Sequence, residues 1–233
     1  MQYIQYNMGI IFNLYLEKRI FFYLVNFIIS AVIFLILASN GLSLEESDKI
    51  KLKRFNECRG CDLSGSNLSK LDLRKAQLNF SNLSNSNLRS ADLRGASLEG
   101  VDLSHSDLTA SRFQKANLRN ANLENSTMLY SNFRKAELVG AMLKNVNIKN
   151  VKFTESNLRK SNFDKAVLIN VNLKGADLDS ANFGNSILDE VRLDKSNLRQ
   201  ANLSNTFFKA VSFRDAKFCR TKMPWGIENK SCK

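Results

Sequence analysis

Large apolar side chains recur at every fifth position from Leu63 to Met223, without an insertion or a deletion. Taking one pentad for every five residues gives 33 consecutive pentads. Two positions before each large residue the side chain is small, and Leu71 is the one large exception. A period of five fits neither an α-helix, which repeats every 3.6 residues, nor a strand, which repeats every second residue. The pattern therefore indicates a different kind of repeat.

A stacked solenoid accounts for this pattern. If each pentad forms one side of a four-sided coil, its large and its small residue point inward and the other three positions face water. One pentad cannot bury its own large residue, so the coils must stack on one another. The pattern predicts a single repeat domain over residues 61–223.

The pentad Ala91-Asp92-Leu93-Arg94-Gly95 resembles the motif of the pentapeptide-repeat proteins, and the resemblance extends over all 33 pentads. It implies an all-β fold, a right-handed quadrilateral parallel β-helix (solenoid) of about eight coils, which at about 4.8 Å per coil is about 38 Å long. It also implies that aspartates before the inward residue, such as Asp92, serve turns and contacts between coils. The family is functionally diverse, so the resemblance does not name a ligand.

An apolar run precedes the repeats. Ile20–Ala38 holds 19 residues with only Asn26 and Ser30 as polar breaks, which is long enough to cross a hydrocarbon core of about 30 Å. A basic pair, Lys18 and Arg19, precedes it as in a secretory signal, although no Ala-x-Ala cleavage site follows. We predict an N-terminal apolar helix that is either a signal peptide or a membrane anchor. A buried core helix is the alternative, and the solenoid has no place for it.

These features divide the chain into four parts: a signal peptide or membrane anchor over residues 1–41, a linker and N-terminal cap over 42–60, the β-helix over 61–223 and a C-terminal cap tail over 224–233. Caps are expected because the open end of a β-helix exposes unpaired backbone and apolar side chains. With either interpretation of the leader, we expect an extracytoplasmic location, which is periplasmic, lumenal or membrane-anchored. An uncleaved leader would contact the membrane through residues 20–38.

The four cysteines are Cys58, Cys61, Cys219 and Cys232. One shared zinc site is excluded, because the two pairs lie about 38 Å apart on the predicted rod and a Zn–S bond is about 2.3 Å. A Cys-x-x-Cys redox motif needs a thiol at a helix start beside a βαβ unit, and the sequence predicts neither. Local disulfides, Cys58–Cys61 and Cys219–Cys232, and buried free thiols both remain open. Disulfides would suit an oxidising compartment and would stabilise the two ends of the rod.

The segment from Cys219 to Cys232 also resembles the closing segment of secreted members of the family. There Pro224 would end the last coil, and Trp225 would cover it.

The chain carries a net charge of +12, which favours acidic partners. A coil of 20 residues assigns every residue to one of four sides, and the side of Leu73, Leu93 and Phe113 holds twelve basic residues against five acidic ones. We hypothesise that this side binds anions such as lipid headgroups or an envelope polymer; a basic face exposed only to water is the alternative. The candidate anion-binding residues are Arg74, Lys75, Arg94, Arg112, Lys115, Arg134, Lys135, Lys152, Lys174, Arg192, Lys195 and Arg214.

A second outward feature is apolar. Val167, Ile187 and Phe207 follow one another at intervals of 20 residues, with Ile169 beside them. A row of apolar side chains facing water suggests a contact surface. A homodimer formed through the C-terminal half and docking of the C-terminal tail are both compatible with it.

The sequence gives no sign of catalysis or of a cofactor. It holds one histidine, His105, at an outward position, and no glycine-rich phosphate loop. We predict a non-catalytic extracytoplasmic binding or scaffold protein whose partner is an unknown protein or an anionic envelope component. The alternatives are a cytoplasmic DNA mimic that protects a topoisomerase, which requires an acidic rod, and a rod that binds nucleic acid. Nucleic acid is disfavoured because the basic side lacks aromatic stacking groups outside its core.

Overall fold

The structure is a computed structural model that describes Ser30 and residues 44–232, with side chains from Asp48 onward. The chain divides into two compact units, Met1–Ser47 and Asp48–Lys233, and the second contains the repeats. The predicted apolar helix over residues 20–38 lies outside the described residues, apart from Ser30 within it. Among the residues that are described, no helix has the length and apolar character needed to cross a bilayer.

The repeat region is a parallel solenoid. The residue before each inward residue pairs in parallel with the residue 20 positions further on, as Asp62 does with Asn82 and Asp72 with Asp92. Since 20 residues make four pentads, the coil has four sides. The column that starts at Asn67 reaches Phe207 in eight rungs. The predicted all-β quadrilateral parallel β-helix is confirmed.

One side of the solenoid forms continuous strands in its C-terminal half. Five strands make a parallel sheet in chain order: β1 (Thr127–Leu129), β2 (Asn147–Lys149), β3 (Val167–Ile169), β4 (Ile187–Asp189) and β5 (Phe207–Lys209). On the other sides most pentads hold an Asn or Asp whose Oδ1 accepts the N–H two residues later, which tightens the chain into a turn. Four of the five strands start instead with Thr, Val, Ile or Phe, which favour extended backbone.

The inward residues fill the interior. From Leu63 to Leu203 every large inward side chain is at most 2% exposed. The ring of Phe133 stacks between those of Phe113 and Phe153, with centroids 4.6 and 5.0 Å apart. Successive coils are therefore in register, and each buried Leu or Phe contributes about 1.5–3 kcal/mol through the apolar area it removes from water.

The fifth position of every pentad from residue 60 to residue 220 is a corner with left-handed backbone, where φ lies between 51° and 71°. Glycine adopts this conformation most readily, yet Lys75, Phe80 and His105 adopt it too. A non-glycine residue in this region costs about 1–2 kcal/mol. The hydrogen bonds between coils, such as Lys75 N–H to the Arg94 carbonyl, hold the corners in place.

Both ends of the solenoid carry a cap. At the N-terminal end, helix α1 (Leu44–Phe55) places Leu52 in the core, where it is 1% exposed, and Asp48 accepts the backbone N–H of Asp62 at 3.1 Å. At the C-terminal end, β6 (Thr221–Met223) and β7 (Gly226–Glu228) form an antiparallel hairpin. The Trp225 ring lies 5.9 Å from that of Phe208, but Trp225 is 64% exposed and covers only the edge of the last coil.

Candidate functional site: the basic side

The basic side is the side of the solenoid whose outward column runs from Asp72 through Asp92, Arg112, Asn132 and Lys152. Parallel pairing at every rung brings the twelve predicted basic residues onto this side, together with Asp72, Asp92, Glu155, Asp194 and Asp215. The side map derived from a 20-residue coil therefore holds in the structure. The binding of anions by these residues stays a prediction.

Two aspartates hold the first arginines of the basic side. Asp72 accepts hydrogen bonds from Nε and Nη2 of Arg74 at 2.8 and 2.5 Å, and Asp92 pairs with Arg94 in the same way. The hydrogen bonds from Arg74 lower the pKa of Asp72 to about 2, and those from Arg94 also lower the pKa of Asp92. Arg112 lies 3.9 Å from the Asp92 carboxylate.

Two other acids hold the remaining arginines. Glu155 contacts Lys135 at 3.1 Å and Arg134 at 3.4 Å, and the hydrogen bond from Lys135 lowers the pKa of Glu155. Asp194 is 3% exposed and accepts hydrogen bonds from the Ser212 hydroxyl and the Arg214 backbone N–H, and the first of these does most to lower its pKa. The Arg192 and Arg214 guanidinium groups lie 3.6 and 4.0 Å from its carboxylate.

All six arginines of the basic side are thus in ion pairs, whereas five of its six lysines make none with any described residue. Ion pairs at an exposed surface stabilise a fold by at most about 1 kcal/mol each. Their main effect here is to hold arginines against neighbouring carboxylates. The lysines without an ion pair, which remain available to an external anion, are Lys75, Lys115, Lys152, Lys174 and Lys195.

A groove of about 1050 Å³ runs along the basic side over its N-terminal rungs. The sequence analysis did not predict this groove, although Gly95 among the lysines of its corner column was a signal. A second groove of about 280 Å³ lies near Gly175 and Lys195. The residues that line the larger groove are Asn56, Asp72, Arg74, Lys75, Arg94, Gly95, Gln114, Lys115, Asn132, Arg134 and Lys135.

The predicted disulfides are present. Cys58 is bonded to Cys61 and Cys219 to Cys232, which removes free thiols as the alternative. Asp48, which sequence reasoning did not single out, brings a carboxylate within 4.8 Å of the Cys58 and Cys61 sulfurs. These three residues are the one group of potential metal ligands in the part of the chain that the structure describes, and both of its sulfurs are bonded to each other in the disulfide.

The aspartates before the inward residues serve the turns, as the family resemblance implied. Asp62 Oδ1 accepts the N–H of Ser64 at 3.1 Å, and Asp177 Oδ1 accepts both the N–H of Asp179 and the Nδ2 of Asn197 in the next coil. His105 is an exposed corner residue. Asp62, Asp177 and His105 do not line the groove on the basic side, whereas Asp72 does.

The apolar row lies on the five-stranded sheet. Phe207 is 60% exposed and Ile187 is 42% exposed, while Val167 and Ile169 are half-buried. Leu129, which sequence reasoning missed, is half-buried on the outward side of the same sheet. Self-association and docking of the tail both stay predictions for this surface.

The repeats were compared with known protein families and sequences. The family model for pentapeptide repeats matches five segments, which are residues 57–95, 86–125, 116–159, 147–185 and 186–223. No curated protein has a sequence that matches this chain significantly.

Among solved structures, the chain is similar to HetL, a pentapeptide repeat protein involved in heterocyst differentiation regulation in the cyanobacterium Nostoc sp. strain PCC 7120. The identity is 29% over 73% of this chain and 88% of HetL, with a TM-score of 0.40. A thylakoid-lumen pentapeptide repeat protein of Arabidopsis thaliana is 26% identical over 46% of this chain and 68% of its own, with a TM-score of 0.30. The plasmid-mediated fluoroquinolone resistance protein QnrB1 is 18% identical over 67% and 90%, with a TM-score of 0.34. The likenesses indicate nothing about ligands. Since the family model covers most of the chain and the coils have the expected period, the protein belongs to the pentapeptide-repeat family.

Proposed function

We propose that the protein is a non-catalytic extracytoplasmic binding or scaffold protein that holds an anionic polymer of the cell envelope against its basic side. The observation that carries the proposal is the groove on that side, which follows the rod axis past lysines that have no ion pair with a described residue. A groove along the axis suits a linear chain better than a plane of lipid headgroups.

The proposed location has two supports. Both disulfides suit an oxidising compartment, because cytosolic proteins seldom keep structural disulfides. The apolar run Ile20–Ala38 has the length of a signal or an anchor. An extracytoplasmic protein with a net charge of +12 meets anionic envelope material directly.

Charge reversal on the basic side tests the proposal. The variant Arg112→Glu, Arg134→Glu, Lys152→Glu should lose retention on envelope preparations and on a soluble polyanion. The matched control reverses the same number of charges on other sides: Arg119→Glu, Lys160→Glu, Lys165→Glu. Glutamate suits the two corners in the control, because Glu155 and Glu190 already occupy equivalent corners. Retention of the first variant at the level of the control would reject the proposal.

A cytoplasmic nucleic-acid-binding rod is the second candidate, because a basic groove also suits a phosphate backbone. Topoisomerase protection through DNA mimicry needs an acidic surface, and the basic side carries twelve cations against five anions. The cellular compartment of the protein distinguishes the envelope function from the two cytoplasmic ones. Cell fractionation combined with thiol labelling before and after reduction should find the protein outside the cytoplasm with its cysteines oxidised. A reduced cytoplasmic protein would favour the second candidate.

A further inference from the structure

We propose that the groove contains a discrete site for a tetrahedral oxyanion, a phosphate or sulfate ester, at the gap that Gly95 leaves between Lys75 and Lys115. We call this gap the Gly95 notch. The inference rests on the proposed function, because it identifies the groups of the polymer that the basic side would recognise.

The first support is the distribution of free charge. Arg74 and Arg94 line the groove, but each is held by two or more hydrogen bonds from its guanidinium to an aspartate of its own pentad. An external anion could reach only their remaining Nη donors, beside a carboxylate whose charge would repel it. Lys75 and Lys115 line the same groove and make no ion pair with a described residue, so their ammonium groups can bind an anion without that cost.

The second support is the space at the notch. Lys75, Gly95 and Lys115 occupy the same corner of three successive coils, and the spacing of about 4.8 Å per coil sets the two lysines about 10 Å apart. A methyl group added to Gly95 would meet only Lys75 Cγ, at 3.8 Å. Both lysine side chains are long enough to bring their ammonium groups to one anion over Gly95.

Other corner glycines show that this open space is not a general property of the fold. A methyl group on Gly100 would lie 2.6 Å from the Phe80 ring, and one on Gly140 would lie 2.6 Å from Asn120 Oδ1. Those two glycines accommodate a neighbouring side chain. Gly60, Gly65 and Gly175 are open like Gly95, but only Gly175 shares the basic side with it. The residue before Gly175 in the column is Glu155, whose charge would repel an anion.

The third support comes from Gln114, which also lines the groove. Its Oε1 is buried and has no hydrogen-bond partner among the described residues. A reorientation of the amide would break no hydrogen bond of Oε1, so this side chain can adjust to a ligand in the groove. Two ammonium groups and one amide can meet the three free oxygens of a sulfate ester or a phosphate monoester, whereas a carboxylate offers only two oxygens.

The substitution Gly95→Lys separates the notch from a general attraction to positive charge. It adds a cation while it fills the gap, and a lysine is compatible with this corner because Lys75, Lys115 and Lys135 already adopt the same φ. We expect its affinity for soluble polyphosphate to fall at least about fivefold. The control Gly175→Lys adds the same charge to the other open corner glycine of the basic side and should bind as tightly as the unaltered protein or more tightly.

Removal of the lysine charges gives a second test. Lys75→Gln and Lys115→Gln should each weaken polyphosphate binding about fivefold, whereas Lys160→Gln and Lys165→Gln, at equivalent corners of other sides, should change it less than about twofold. Dextran sulfate should respond to the four variants in the same way. Equal melting temperatures would show that all variants are folded.

The outcomes distinguish the notch from the proposed function. If Gly95→Lys binds polyphosphate as well as the unaltered protein while the triple charge reversal abolishes binding, the notch is wrong and the basic side stands. If the triple reversal also has no effect, both fail. Vesicles of phosphatidylglycerol and phosphatidylcholine serve as the lipid probe. Binding to these vesicles that Gly95→Lys does not alter, with no binding to polyphosphate, would replace the notch with a lipid surface.

Discussion

The stack of phenylalanine rings in the core gives a quantitative test of the fold. Phe133 is fully buried, and its ring contacts those of Phe113 and Phe153 in the coils on either side. The substitution Phe133→Ala removes buried apolar area and leaves a cavity, which costs about 3–5 kcal/mol. Loss of two stacked pairs adds about 0.5–1.5 kcal/mol for each pair. We therefore expect the free energy of unfolding to fall by about 4–8 kcal/mol.

Urea unfolding of the full chain, followed by circular dichroism, measures this loss. Hydrogen exchange should locate it, because coils in a solenoid contact only their neighbours and the loss of protection should centre on the coils of Phe113, Phe133 and Phe153. Phe80→Ala is the matched control, since Phe80 is 70% exposed and should cost less than about 1 kcal/mol. A cost for Phe133→Ala no larger than that of the control would refute the stacked core.

Two further predictions concern the ends of the rod and the charged side. Cys219→Ser with Cys232→Ser opens a loop that joins residues 13 apart in sequence and should lower stability by about 2–3 kcal/mol, a loss that reduction of the unaltered protein should reproduce in a thermal melt. Folding lowers the pKa values of Asp72, Asp92, Glu155 and Asp194, so their stabilisation is complete above the unfolded pKa near 4 and is lost as pH falls through the lower folded values. The melting temperature should be constant above about pH 5 and should fall as the pH is lowered below about pH 4. A melting temperature that already falls as the pH is lowered from above pH 6, or that rises below pH 4, would contradict this assignment.

The period of five in the sequence predicts most of the fold. No insertion interrupts the pentads, so the residue 20 positions away is always the neighbour in the next coil, and the alignment of Leu93, Phe113 and Phe133 follows. The same arithmetic placed the basic residues on one side and Val167, Ile187 and Phe207 in one row. Leu129 could have been added to that row by the same rule.

The features that the period does not predict depend on how side chains pack. Helix α1 has four scattered apolar residues, and nothing in its sequence reveals that Leu52 enters the core. The arginine pairs follow from rotamers, since Arg74 could have pointed away from Asp72. The Gly95 notch depends on what the neighbouring coils leave empty, and Gly100 in an equivalent position is covered by a ring. Trp225 was expected as a lid, but the hairpin of β6 and β7 sets it at the edge of the last coil.

The claim that the basic side receives an anionic polymer is tested most directly by mapping the bound polymer on the protein. Backbone amide shifts of the full chain would be recorded by NMR during titration with polyphosphate. We predict that the shifts concentrate on the basic side and are largest around Lys75, Gly95 and Lys115. Shifts of equal size on all four sides of the solenoid, or none on the basic side, would contradict the claim.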